Sequence, residues 1–270
     1  MKLKLVKAAQ GLVWVRQGAL ACRQQALGFI GLLGMVGMAA LLMIGLPEGI
    51  GSLVVVGVMP LVWMGFMLAT RRVLSGRRVT PSVMIEAVNA PDSPRLNFAL
   101  LGVAYVLATQ LVSVLAQWLG PDPDALRNVM ETTKEMADLV NNPLVQEDML
   151  WRVALTVPVS LVFWHTPALI LWARLPVVKA LFFSVVAVWR NLGAFAVYGL
   201  SWAGIVIAVG LLDRVVLALI PVPLLGSALA LAAGMWLAAA FYASLYFTVV
   251  DCFEPQAGAG AAAPPATPAD

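Results

Sequence analysis

Six runs of about twenty apolar residues leave this 270-residue chain few ways to fold. They fall at about 27–46, 50–69, 96–118, 150–172, 192–212 and 224–250. A helix rising about 1.5 Å per residue covers the roughly 30 Å hydrocarbon core of a bilayer in about twenty residues, so each run is long enough to cross. Only 11% of the residues are charged and the mean hydropathy is +0.91, whereas roughly a quarter of a soluble domain is charged. That little charge cannot cover an aqueous surface, so most of the chain has lipid as its solvent. In lipid each backbone N–H and C=O needs an internal partner, which at this segment length means helices. The expected fold is an all-α polytopic bundle of six spans over residues 1–254, followed by a disordered Ala/Gly/Pro-rich tail, 255–270.

The charges are sorted by loop rather than pooled on one face, which argues against a nucleic-acid footprint despite a pI near 9.1. With the amino terminus inside, thirteen Lys and Arg lie on the cytoplasmic side: the five before the first span, Arg71, Arg72, Arg77, Arg78, Arg95, Arg174, Lys179 and Arg190. Arg127, Lys134, Arg152 and Arg214 lie outside. The imbalance predicts a multi-pass membrane protein with both termini cytoplasmic. The same basic segments suit anionic phospholipids, although marking topology would account for them as well. Cys22 and Cys252 each sit just outside a span and have no second ligand at metal spacing.

Between the spans lie short amphipathic segments. Residues 1–25 read as a basic helix on the inner leaflet with Trp14 at headgroup depth, or alternatively as an unstructured lead-in. Thr80-Pro81 reads as a cap and first turn of a short helix to about Val88. Val177–Trp189 is apolar but too short to span, and is placed in the interface. Each precedes an odd-numbered span, and Arg23, Arg95 and Arg190 stand before those spans, a pattern of three repeats of interfacial helix plus hairpin. The polar segment 120–149 is expected to carry an amphipathic helix on the outer surface, capped at Asp122-Pro123. Two packing signals stand out. Gly28, Gly31, Gly34 and Gly37 recur every third residue, and Gly226, Ala230, Gly234 and Ala238 every fourth, the latter making one smooth face for a close helix contact. Pro60 predicts a kink in the second span.

The chemistry that the sequence offers centres on the lone histidine, His165, in Leu161-Val-Phe-Trp-His-Thr-Pro-Ala-Leu-Ile170. Pro167 removes the hydrogen bond to the Phe163 carbonyl, which the Thr166 hydroxyl can reach, and a neutral His165 can donate to a neighbouring span. No Asp or Glu lies inside the six runs as bounded, so a paired-carboxylate site has no members. A zinc protease lacks its second histidine. Serine–histidine catalysis stays open through Ser113, Ser160 or Ser201. A carrier would need a polar cavity, for which Gln110, Tyr198 and His165 are the lining candidates. The glycines follow helix-packing periods and form no phosphate or dinucleotide loop, and the reading names no cofactor and no metal.

Several segments together carry a resemblance. Trp14-Val-Arg-Gln-Gly18, Pro81-Ser-Val83, Phe163-Trp-His-Thr-Pro-Ala-Leu169, Trp189-Arg-Asn191 with Phe195-Ala-Val-Tyr-Gly199, and Tyr246-Phe-Thr248 with Asp251 and Phe253 resemble an uncharacterised family of proteobacterial six-span inner-membrane proteins. The chain departs from that family at Ala21-Cys-Arg-Gln-Gln-Ala26, where an aromatic, proline-containing stretch is usual. The resemblance implies location and fold but no activity. A looser similarity to the membrane domains of some glycerophosphodiester phosphodiesterases is an analogy of fold. The leading expectation is a non-enzymatic structural or lipid-associated bundle, with a small-solute carrier or channel second and an intramembrane hydrolase using His165 third.

Overall fold

The computed structural model describes residues 2–46, 49–219 and 222–254. The predicted disordered tail, 255–270, lies outside the described residues. The elements are β1 (Lys2–Leu3), α1 (Gln10–Gln24), α2 (Ala26–Ile44), α3 (Ile50–Leu74), α4 (Val83–Asn89), α5 (Arg95–Leu119), α6 (Pro123–Thr132), α7 (Met136–Asn141), α8 (Pro143–Phe163), α9 (Thr166–Ala173), α10 (Val177–Arg190), α11 (Leu192–Leu219), α12 (Pro223–Cys252) and β2 (Phe253–Glu254). Six segments are long and apolar enough to cross a membrane, namely α2, α3, α5, α8 with α9, α11 and α12.

The spans run past the apolar stretches that announced them. α3 continues through Pro60 and through Arg71-Arg72, and α11 through Asp213-Arg214, because a helix ends where capping or packing ends it and not where hydropathy falls. Carboxylates therefore do sit within the spanning helices, toward their ends: Glu147 and Asp148 in α8, Asp213 in α11 and Asp251 in α12. The segment 120–149 carries two short helices, α6 and α7, before α8, not one. Asp122 caps α6 by accepting from the Asp124 N–H at 3.1 Å, with Pro123 in the first turn. Asn142 with Pro143 repeats that device at the start of α8. Thr80 does not cap α4, which starts at Val83; its hydroxyl accepts from Arg72 instead.

The short helices α1, α4 and α10 precede the hairpins α2/α3, α5/α8 and α11/α12, so the element order repeats three times. Each short helix packs on the hairpin before it in the chain: α4 on α3, and α10 on α8 and α9. α1, the first helix described, packs on the last hairpin, α11/α12, which closes the series into a ring. The two-residue strands seal that closure, pairing Lys2 with Glu254 and Leu3 with Phe253 in antiparallel register. Both ends of the described chain therefore lie at one end of the bundle, here called proximal.

Burial divides the molecule along its length. In α12 the residues from Ala239 to Val249 are buried, apart from half-buried Phe241 and Tyr242, while 224–234 are exposed or half-buried apart from Gly226. α3 is buried mainly beyond Pro60, and α2 buries Phe29 and Leu32 near its start. The core is a proximal layer, and the distal halves of α2, α11 and α12 leave most of their side-chain surface to lipid.

Candidate functional site

α12 is the hub of the proximal layer because its last four turns offer small and polar side chains on every face. Thr70 on α3 donates to the Phe66 carbonyl at 3.0 Å and to Ala243 of α12 at 3.1 Å. The Tyr198 and Ser244 hydroxyls, on α11 and α12, lie 2.6 Å apart. Trp164 Nε1 donates to Thr248 Oγ1 at 3.1 Å. Asp251 Oδ2 accepts from Gln10 Nε2 at 2.6 Å and from Trp14 Nε1 at 2.7 Å. The indole of Trp14 is therefore fully buried against Phe195 and Tyr198 rather than held at headgroup depth. A carboxylate next to its helix offers a stronger acceptor than lipid headgroups do, since hydrogen bonds to charged groups contribute roughly 1.5–3 kcal/mol.

Asn191, at the joint of α10 and α11, ties the termini into the same layer. Its Oδ1 accepts from the Val6 N–H at 2.8 Å, and its Nδ2 donates to the carbonyls of Lys4 and Ala187, each at 3.0 Å. Close approach of α1 depends on glycine. A Cβ at Gly18 would lie 2.7 Å from Ser244 Cα, and one at Gly11 would lie 2.6 Å from the Tyr198 nitrogen.

His165 sits in the break between α8 and α9. The break has two causes: Pro167 lacks an N–H, and the Ser184 hydroxyl of α10 enters the helix ladder. Ser184 Oγ accepts from the His165 N–H at 3.1 Å and faces the Leu161 carbonyl at 3.4 Å, bridging the pair that an unbroken helix would join directly. Thr166 donates to Val162 at 3.2 Å, one residue earlier than the Phe163 carbonyl expected from the sequence. The imidazole is fully buried, edge-on to Phe195 and Phe253 with centroids 5.5 and 5.4 Å away. Neither ring nitrogen makes a hydrogen bond of full geometry with a described residue, although the backbone of Thr248 and Ser184 lies near the ring. The His165 backbone makes an interhelical bond of its own, to Ser184 of α10.

Four of the five resemblance segments meet in this layer, contributing Trp14, Trp164 and His165, Asn191 with Phe195 and Tyr198, and Thr248 with Asp251. The other candidates disperse. Gln110 is exposed on α5 while Tyr198 is buried against Ser244, so the two share no cavity. A cleft of about 450 Å³ lies at the distal surface, lined among others by Gln117, Leu126, Arg127, Met130, Asp148 and Arg152; none of Gln110, Tyr198 and His165 lines it. Ser113 and Ser201 turn back onto carbonyls of their own helices, Thr109 and Val197. Among the described residues no group of three or more His, Cys, Asp or Glu could hold a metal. Both cysteines are free and buried, and burial pushes the Cys22 thiol up to about 11.

The glycine periods mark the wrong contacts. Gly31, Gly34 and Gly37 meet nothing within 4 Å, and Gly28 meets only the Val79 side chain. Of the four-residue stripe, Gly226 would place a Cβ 2.6 Å from Leu217 of the same hairpin, Gly234 faces open space, and Ala230 and Ala238 are half-buried. The close contacts of α12 lie one to two turns further on, at Ala240 and Ser244, where α1 crosses. The flanking arginines have specific partners: Arg72 pairs with Glu86 at 2.6 Å, and Arg95 Nε donates to the Val88 carbonyl at 2.9 Å. Asn191, Ser184 and Asp251 were not singled out as site residues from the sequence; position at the end of a helix was the available signal for Asn191 and Asp251, and Ser184 carried none.

Six apolar helices, three short helices ringed around them and a polar knot at one end define a polytopic α-helical membrane protein. Over 259 residues the chain is 31% identical to a probable inner membrane protein of Burkholderia thailandensis, the match covering 95% of each protein. The chain belongs to the family of that protein and is a multi-span inner-membrane protein. No family model matches it, and no solved structure matches it.

Proposed function

We propose that this protein is a non-enzymatic, lipid-associated structural bundle with its paired termini on the cytoplasmic side. The observation that carries this reading is what α1 and α10 present outward. Their inner faces are spent on the core through Gly11, Trp14 and Gly18, and through Ala180, Ser184 and Ala187. Their outer faces alternate apolar and basic side chains: Leu12, Arg16, Leu20 and Arg23 on α1, and Val178, Lys179, Phe182, Trp189 and Arg190 on α10. Such a face suits the boundary between acyl chains and anionic headgroups. The excess of Lys and Arg at this end favours the cytoplasmic leaflet. In this reading the His165 ring fills space.

The test uses a deletion strain profiled for growth and phospholipid composition. Wild-type protein and a folded His165→Leu variant are expected to restore both profiles equally. A His165→Leu variant that accumulates normally but restores neither would contradict the reading, since it would show that the imidazole does chemistry.

A further inference from the structure

We propose a binding site for an anionic phospholipid headgroup at the elbow between α1 and α2, built with the loop that joins α3 to α4. The proposal rests on the lipid-associated reading and gives it a location. The Gln25 side chain clasps the loop: its Nε2 donates to the Arg77 carbonyl and its Oε1 accepts from the Val79 N–H, each at 2.8 Å. That clasp holds Arg77 and Arg78 beside a residue only two positions from Arg23. All three arginines are exposed, and none has an ion pair or side-chain hydrogen bond among the described residues. The α4 carboxylate, Glu86, is engaged by Arg72 at 2.6 Å and does not neutralise them.

Three cations drawn from two separate repeats are thus gathered where like charges repel, by a neutral amide that does nothing to offset them. An anion is the chemistry that would relieve that repulsion. The arginine fork suits phosphate oxygens. Leu27, at the start of α2 two residues beyond the clasp, is 87% exposed, and Val79 packs beside Gly28. An apolar side chain that bare has acyl chain rather than water beside it, so the occupant carries both a phosphate and a hydrocarbon tail. The distal end offers a built-in comparison, because there Arg127 and Arg152 are paired with Asp124 and Asp148.

The full chain, purified in detergent, is incubated with equal amounts of phosphatidylglycerol, cardiolipin and phosphatidylethanolamine, and retained lipid is read by native mass spectrometry. The wild-type chain is expected to retain the anionic lipids over phosphatidylethanolamine by about tenfold. The triple variant R23Q/R77Q/R78Q is expected to lose that preference, and R127Q to keep it. Gln25→Ala, which leaves every charge in place, is expected to weaken retention severalfold by freeing the loop. Equal retention by wild type and triple variant would overturn the site, as would equal retention of phosphatidylethanolamine by the wild type. Displacement of the lipid by millimolar inorganic phosphate would overturn it too, as a mark of a free-phosphate site. If the triple variant does not elute as a monodisperse species, R78Q alone is measured, with the same preference reduced. An unchanged lipid preference in the triple variant, with wild type and His165→Leu both restoring the deletion strain, counts against the site and not the structural reading. Failure of His165→Leu to restore the strain while its lipid preference is intact counts against the reading alone.

Discussion

The proximal and distal halves of the bundle are made from the same helices and nearly the same residue types, yet they are held together differently. In the proximal half α12 bonds through side chains to α1, α3, α8 and α11, and glycines let α1 lie against it at backbone distance. In the distal half Gly34, Gly37, Gly210 and Gly234 meet nothing within 4 Å, and α2, α11 and the start of α12 present bare flanks. Lipid tails are as apolar as leucine, so hydrophobic burial does not draw helices together within a bilayer; close packing and interhelical hydrogen bonds do. Where the sequence supplies both, the bundle closes. Where it supplies glycine alone, the helices stay in lipid.

The sharpest way to break the comparison is to make one substitution in each half. Gly18→Val is expected to cost about 3 kcal/mol or more, roughly 10 °C in Tm, because the new side chain meets Ser244. Gly34→Val, at a position with open space around it, should leave Tm unchanged. Equal losses in a detergent melt would show that the distal helices are packed as well. Next in size, His165→Ala should cost about 2 to 4 kcal/mol by opening a cavity between Phe195 and Phe253. Ser184→Ala should cost about 1–3 kcal/mol by leaving the His165 N–H and the Leu161 carbonyl unbridged. If Ser184→Ala melts like the wild type, the hydroxyl is not what holds the break.

A smaller effect is expected at Cys22. Its pKa is raised by burial to about 11 from an ordinary 9.0, so the fold favours the neutral thiol. That contribution is full below about pH 9 and is lost as the pH rises through about 11, so Tm should fall across that window and be restored in Cys22→Ala. Maleimide should react slowly with Cys22 at pH 8 until the chain is unfolded; labelling at the rate of a free thiol would place it outside the core. The smallest effect is predicted for Gln110→Leu, within about 0.5 kcal/mol of wild type, because this amide is exposed and bonds to nothing among the described residues.

These contrasts also explain what the sequence could reveal. The six spans and three short helices were legible because length and hydropathy are local. So was the break at His165, since Pro167 lies two residues away. Its second cause was not, because Ser184 is nineteen residues distant and nothing in its own neighbourhood marks it. Glycine spacing misled for a physical reason. Periodicity reports which residues share a face of their own helix but not whether another helix lies opposite, so Gly34 and Gly18 look alike until the partner is placed. Trp14 misled in the same way, since an indole that suits the headgroup region also suits a buried carboxylate, and Asp251 is 237 positions away.

The central claim is that lipid reaches the distal helices while the proximal layer excludes it. Photolabelling of the liposome-reconstituted chain with a membrane-soluble diazirine, mapped by mass spectrometry, measures that directly. Heavy labelling is expected at 33–43, 203–217 and 227–234, with 163–170 and 239–249 protected. Uniform labelling along α12, or protection of its first half equal to that of its second, would contradict the account.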